Sequence, residues 1–431
     1  MMSRLGRRLP LKAESGQRRH RPDYLLVLFV VLLMFLGLVV IYAIGPQRAN
    51  ILNSVYGTDY DSNYFVIKQA TSLAAALASF IAFSYMPIDW LKKHAKTLLL
   101  VGFAASALLF LAGNMLDLQQ VAQCSLGACR WFNLGPFGSL QPAELLKFGL
   151  LIFIASFLGM RMQQGQVNNI EKTIIPVAIT VGIALFFTII MQKDMGTGIA
   201  IASLAACMLM VSGVSKGIGV KLLLIALALG VVLIIAAPHR IERVLTFIKG
   251  DQALVDENDD STHHIRQAML AIGSGGFFGL GIGNSVQAAG RLPESINDSV
   301  FAIMGETFGF VGLLAIIVIF TGLLMRILKI TDRLNEPWMR LLAAGVFGWV
   351  AAHVVLNIAS MIGVFPLTGI TLPLLSFGGT SMVFIAAALG IVFQLSRYTE
   401  HKTIREEMPN ANLGSRRGIG RTRYASRRGN S

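Results

Sequence analysis

Residues 291–312 read RLPESINDSVFAIMGETFGFVG. A polar strip carrying Arg291, Glu294, Asn297 and Asp298 runs directly into a long apolar segment that holds one further acid, Glu306. The apolar part has the composition of a bilayer-crossing helix. Carboxylates at the mouth of, or inside, such a segment are costly to keep charged, which makes them functional-site candidates. Asp298 is therefore expected as a catalytic carboxylate. An acid in the first turn of a helix would equally cap free N–H groups and suit the helix dipole, so this stretch alone leaves both roles open.

The rest of the chain agrees with the membrane setting. Of 431 residues, 54% are hydrophobic and 14% charged, against roughly 25% charged in soluble domains. The net charge of +14 is concentrated at the ends: residues 1–23 and 397–431 together supply +11 of it. Basic tails beside membrane segments mark the cytoplasmic side and attract anionic lipid rather than nucleic acid. The expected architecture is an all-α polytopic membrane protein with ten spans, near 24–44, 65–85, 97–114, 142–159, 173–191, 195–213, 219–237, 298–325, 338–362 and 374–396. Each is close to the ~20 residues a helix needs to cross. Lysines and arginines follow the even-numbered spans, which places both termini in the cytoplasm and a large loop, about 238–297, outside. Of three cysteines, Cys207 lies in an apolar span, while Cys124 and Cys129 flank an outer loop where a disulfide is allowed but not dictated by spacing.

Four polar clusters interrupt the spans, all on the outer side in this topology. The first is RWFNLGPFGSLQPAELLK, with Arg130, Gln141, Glu144 and Lys147; Glu144 and Lys147 share a helix face at i,i+3 and could simply neutralise each other. The second is QKDMGTG, with Lys193 and Asp194 in a tight turn that Gly196 and Gly198 are expected to permit. The third is the strip from Arg291 to Asp298. The fourth, NIASMIGVFPLTGITLPLLSFGGTSM, contains Asn357, Thr368, Ser376, Thr380 and Ser381. Its prolines and glycines predict a broken, re-entrant segment, a geometry that survives at membrane depth only inside protein or beside a wet cavity. In the large loop, a helix over HHIRQAMLAIGSGG precedes GGFFGLGIGNSVQ, whose glycines suit tight turns and close backbone approach to a ligand. Together the clusters predict one outward-facing polar cavity.

These segments, in this order, resemble the shape, elongation, division and sporulation (SEDS) family that includes FtsW and RodA. The similarity runs over residues 24–396 and includes GLVVIY, RWFNLGPFGSLQPAELLK, QKDMGTG, AIGSGGFFGLGIGNSVQ, LPESINDSVFAIMGETFGFVG and PLTGITLPLLSFGGTSM. GLGIGNSVQ followed closely by LPE is more like the FtsW branch. The resemblance implies a peptidoglycan glycosyltransferase that polymerises lipid II, an undecaprenyl-pyrophosphate disaccharide-pentapeptide. It implies a class B penicillin-binding protein as transpeptidase partner, other divisome proteins around it, and a place at the division septum. The family's essential aspartate falls on Asp298 and its glutamine-proline-glutamate-lysine motif on Gln141, Pro142, Glu144 and Lys147. The chain departs from the family's usual residues at Ile296–Asn297, His263–His264, Gln192–Lys193–Asp194 and Glu306–Thr307, while Gln267 fits.

For such a transfer Asp298 is the expected general base on a sugar hydroxyl. Lys147, Arg243 and Arg291 are the candidate cations for the pyrophosphate, with a magnesium or manganese ion as an optional aid. Glu144, Asp194, Gln267, Glu294, Asn357, Ser376, Thr380 and Ser381 complete the expected substrate-binding set. A lipid II flippase and a non-catalytic division scaffold are the alternatives.

Overall fold

The computed structural model describes residues 21–399 apart from 119, 126–127, 136–137, 236–240 and 242–259, and leaves out the side chains of residues 56, 125, 260–262, 289 and 291. The basic tails, Arg243 and most of the acidic run at 256–260 lie outside the described residues.

Lipid offers the backbone no hydrogen-bond partners, so the apolar runs fold as helices. They are α1 (Tyr24–Tyr56), α2 (Tyr64–Tyr85), a short α3 (Ile88–Lys93), α4 (Ala95–Phe110), α5 (Pro142–Gln163), α6 (Ile175–Leu185), α7 (Met195–Val211) and α8 (Lys216–Ile235). After the large loop's α9 (Asp260–Ser274) come α10 (Val300–Arg333), α11 (Pro337–Met361) and α12 (Gly379–Leu395). Among the described residues nine helices, π-helical ends included, are long and apolar enough to cross a bilayer; Met195–Val211, the tenth expected span, is apolar but shorter. The chain is a multi-pass helical membrane protein.

Burial sorts these helices. α5, α11 and α12 are largely enclosed by protein, whereas α8 buries no residue at all. A helix apolar on every side that buries none of its residues in protein is suited to lipid. α1 runs past the expected end at residue 44, through Pro46, for three more turns, and stops where Gly57 adopts a left-handed conformation with its N–H on Asn53 O. The extension reaches the large loop: Gln47 Nε2 donates to Gly283 O at 2.8 Å.

Between α4 and α5, where the sequence reads as loop, lies a small antiparallel sheet of β1 (Ala122–Ser125), β2 (Ala128–Asn133) and β3 (Ser139–Leu140). Cys124 and Cys129 face each other across β1 and β2 and are joined as a disulfide.

α10 is broken at Gly309 (φ 67°, ψ −167°). The glycine-rich run 275–283 fills the break. Leu280 N and Gly281 N donate to Glu306 O and Thr307 O at 2.9 and 3.0 Å, and Phe310 N donates to Gly276 O at 2.8 Å. A β-carbon on Gly279 (φ 83°) would stand 2.2 Å from Thr307 O, and one on Gly309 would stand 2.4 Å from Gly279 N. Gly275 and Gly279 thus approach the backbone of α10, a packing demand on these glycines besides the expected one of approach to a ligand. Glu306, the acid inside the span, closes the same joint: it accepts from the Ser285 hydroxyl and from Val286 N (2.9 Å) and Gln287 N (3.2 Å).

Gly279→Ala and Gly309→Ala are each expected to destabilise the protein by at least about 2–3 kcal/mol, combining overpacking with left-handed strain. Gly276→Ala, with a left-handed φ of 55° but open space around it, is expected to cost only about 1 kcal/mol. Thermal unfolding of the detergent-solubilised variants checks the contrast.

Candidate active site

The centre of the site is the chain from Ile362 to Gly378, between α11 and α12. It has no regular structure, yet Ile370, Leu372, Pro373, Leu374, Leu375 and Ser376 are buried. The prediction of a broken segment holds. Its two prolines cannot donate backbone hydrogen bonds and resist helix, so the buried carbonyls need other partners. Side chains of α11 supply them. Asn357 Nδ2 donates to Ile370 O at 2.6 Å, and Ser360 Oγ to Pro366 O at 3.1 Å. His353 Nδ1 lies 3.2 Å from Thr371 O. Ser376 Oγ accepts from Leu372 N at 2.9 Å.

Asp298 stands against this segment. It lies two residues before α10 begins; Ser299 rather than Asp298 is the N-cap residue, although backbone hydrogen bonds at residues 298 and 299 still meet the Asp298 carboxylate. Asn357 Nδ2 also donates to Asp298 O at 2.7 Å, and Phe377 N to Ile296 O at 2.8 Å, joining the strip 291–298 to the re-entrant chain. A β-carbon on Gly369 would lie 3.8 Å from Asp298 Oδ2, so a glycine leaves the carboxylate room there. Ser299 Oγ is 3.4 Å from Asp298 Oδ1, 2.9 Å from Pro293 O and 2.6 Å from His264 Nε2. A hydroxyl has one proton to give, so the two oxygens compete for it, while His264 Nε2 donates to or accepts from Ser299 Oγ according to its tautomer. Asp298 is 7% exposed. Burial, with the charge of Glu294 adding to it, raises its pKa from 3.8 to about 7, although hydrogen bonds at residues 298 and 299 pull the other way.

The first two clusters join each other and the same segment. Lys147 and Glu144 form an ion pair at 2.8 Å, both buried; Lys147 has no exposed surface. Its Nζ lies 3.2 Å from His353 Nε2 and 4.8 Å from the centre of the Trp349 ring. Gln141 Nε2 reaches Asp194 Oδ2 at 3.1 Å. Asp194 caps α7, accepting from Thr197 N and Thr197 Oγ1 at 2.9 and 2.8 Å. The turn before it depends on Lys193 in a left-handed conformation (φ 51°), and Arg130 on β2 donates to Gln192 O and Lys193 O at 3.2 and 2.8 Å. Gly196 and Gly198 lie inside the first turns of α7, contrary to the expectation that they break it; a β-carbon on Gly196 would meet Ile370 Cγ1 at 2.5 Å. Thr380 Oγ1 reaches Ser139 O at 3.4 Å.

Among the described residues all four clusters therefore converge on a packed segment. The cavity beside it, lined by Thr371, Leu372, Pro373, Ser376 and Ser381 among others, is only about 10 Å³, room for about one water. Ser381 Oγ, Thr368 Oγ1, Asn357 Oδ1 and Glu144 Oε2 are buried without a hydrogen-bond partner. Glu294 is exposed and is bonded by Asn297 Nδ2. Gln267 Nε2 on α9 lies 3.4 Å from His263 Nε2. His264, His353 and Trp349 were not expected; only a buried polar residue at i,i+4 from Asn357 could have signalled His353. Among the described residues no three His, Cys, Asp or Glu side chains come together. The described donor set does not fit a resident divalent cation.

Fold and site define a membrane protein with a buried carboxylate held beside the start of a long helix against an irregular, buried stretch of chain. The chain belongs to the cell cycle protein family FtsW/RodA/SpoVE, whose model matches residues 23–401. It is 30% identical over 386 residues to stage V sporulation protein E of Bacillus subtilis (strain 168), covering 89% of this chain and 99% of the relative. It is also 30% identical to the probable peptidoglycan glycosyltransferase FtsW of the same organism, over 90% of this chain and 94% of that one. The fold matches a chain of a solved peptidoglycan synthase complex that coordinates polymerization and crosslinking, with TM-score 0.66, 25% identity, and coverage of 87% of this chain and 98% of that one. It also matches the rod shape determining protein RodA of Thermus thermophilus, with TM-score 0.60, 24% identity, and coverage of 88% and 98%.

A carboxyl whose folded-state pKa lies above its unfolded one stabilises the fold fully below about pH 4, and that contribution is lost as pH rises through about 7. The melting temperature of Asp298→Asn relative to wild type is therefore expected to rise between about pH 4 and about pH 8. Glu294→Gln removes a neighbouring negative charge and is expected to shrink the effect. Melting curves across that range measure both.

Proposed function

We propose that the protein is a peptidoglycan glycosyltransferase that polymerises lipid II, with Asp298 as the general base. The observation that carries this is a buried carboxylate with a pKa near neutrality, set against a re-entrant chain at the convergence of four polar clusters. Membership of a family with relatives named probable peptidoglycan glycosyltransferase supports it.

In the proposed step the acceptor's 4-hydroxyl attacks the anomeric carbon of the donor. The new C–O bond forms as the bond to pyrophosphate breaks, the hydroxyl proton passes to Asp298, and the lipid pyrophosphate leaves with the electron pair. Attack opposite the leaving group inverts the anomeric centre through an oxocarbenium-like transition state, as in glycosidases. Asp298 serves as a base only when ionised, and a pKa near the working pH suits an acceptor that must later release its proton. Arg291 and Arg243 are the proposed cations for the departing pyrophosphate. Lys147 and Asp194 are occupied by Glu144 and by the α7 cap, so their proposed role is to support the site rather than to contact the substrate. Glu294, Gln267, Ser376, Thr380 and Ser381 are the proposed polar contacts for the headgroup.

The protein is placed in the bacterial cytoplasmic membrane with both termini inside, as the loop charges indicate. Its proposed partner is a class B penicillin-binding protein at the division septum. The likeness to a chain of a synthase complex coordinating polymerization with crosslinking supports a paired transpeptidase.

Purified protein, its transpeptidase partner and labelled lipid II test the proposal. Wild type is expected to yield glycan polymer and Asp298→Asn at least about 100-fold less. Undiminished polymer from the variant would end the base assignment, and lipid movement across vesicles without polymer would point to a transporter. The wild-type rate is expected to fall as pH drops below about 7, because protonated Asp298 cannot accept. Glu294→Gln is expected to move that acidic limb to lower pH.

A further inference from the structure

α11 carries Trp349, His353 and Asn357 four residues apart on one face, all buried. Each reaches a different part of the site. Asn357 holds the carbonyls of Asp298 and Ile370. The Trp349 ring lies over Lys147. His353, between them, contacts Lys147 on α5 and Thr371 in the irregular chain.

Its two ring nitrogens meet opposite kinds of partner. Nε2 is approached by Lys147 Nζ at 3.2 Å and by Trp349 Nε1 at 3.3 Å. An ammonium and an indole N–H can only donate, so Nε2 must be the bare, accepting nitrogen. Nδ1 lies 3.2 Å from Thr371 O. A carbonyl can only accept, so Nδ1 carries the proton. The surroundings therefore select one tautomer, neutral and protonated at Nδ1; protonation of Nε2 would turn a donor towards two donors.

We infer that His353 is a positioning residue, held as the Nδ1–H tautomer, that ties the Lys147–Glu144 ion pair to the Thr371 carbonyl and so fixes the re-entrant chain beside Asp298. Thr371 follows Ile370, whose carbonyl shares Asn357 with that of Asp298. Two consecutive carbonyls are thus held from α11, one by a group that also contacts the aspartate and one by a group that also contacts the lysine. A shift of the segment at Thr371 moves Gly369 and Ile370, the residues that face Asp298. His353 touches no reacting atom in this scheme. It acts through the segment it holds, so its effect on turnover rests on the proposed glycosyltransferase activity, whereas its tautomer does not.

The test has two arms. Nitrogen-15 spectra of histidine-labelled protein, with the signal assigned by its loss in His353→Phe, are expected to show one protonated and one bare ring nitrogen, with the proton at Nδ1. A proton at Nε2, or on both nitrogens at neutral pH, would overturn the inference whether or not the protein polymerises lipid II. In the second arm His353→Asn, which keeps an N–H where Nδ1 stands, is compared with His353→Gln, which keeps an acceptor where Nε2 stands, and with His353→Phe, which keeps neither. Polymerisation is expected to fall about 10–100-fold in His353→Phe and to recover in His353→Asn more than in His353→Gln, with the change in kcat rather than KM. Rates that merely follow the melting temperatures of the three variants would reduce His353 to a packing residue and overturn the inference. An inactive wild type with the expected spectrum would count against the proposed function and leave the tautomer standing.

Discussion

Irregular backbone buried at membrane depth must find its hydrogen bonds from side chains, because neither water nor lipid supplies them. That constraint organises this protein. The chain from Ile362 to Gly378 runs through the interior without helix or strand, and α11 answers it with Asn357, Ser360 and His353. Those side chains in turn bind the strip before α10 and the ion pair on α5. A polar site in an apolar protein thus follows from one stretch that cannot be helical, and the polar residues around it are the ones its backbone requires.

The same logic separates the two acids of residues 291–312. Glu306 is deep in the span, but a serine hydroxyl and two backbone N–H groups meet its carboxylate, so it serves as a joint between loop and helix. Asp298 is nearly as buried, but its hydrogen bonds come only from residues 298 and 299, a second acid lies nearby, and burial outweighs those bonds. Satisfied charge makes structure; under-satisfied charge is available for proton transfer. Depth alone would have ranked the two the other way round.

Much of this was legible from the residues. Long apolar runs with segregated charge established the helices, and Pro366, Pro373 and the flanking glycines marked the re-entrant chain because they exclude regular structure locally. What escaped depends on contacts distant in sequence. The three-stranded sheet is held by pairing between short, weakly patterned segments and by a disulfide that spacing could not decide. The glycine-rich run looked like a ligand cradle, since close approach to a phosphate and close approach to a helix backbone demand the same residue. His353 sat unremarked in an apolar helix, and its neighbours Lys147 and Thr371 lie 206 and 18 residues away.

The break in α10 divides the helix into two pieces under different rules. Residues 300–307 are all buried, whereas beyond Gly309 burial recurs at Leu313, Ile316, Phe320, Leu323, Ile327, Ile330 and Thr331, a narrow stripe along one face. Over evolutionary time the longer piece can exchange one oily side chain for another across most of its circumference with little effect. The shorter piece has no such freedom: any drift there disturbs the joint with the loop and the ground on which Asp298 stands, so two halves of one continuous helix should diverge at very different speeds.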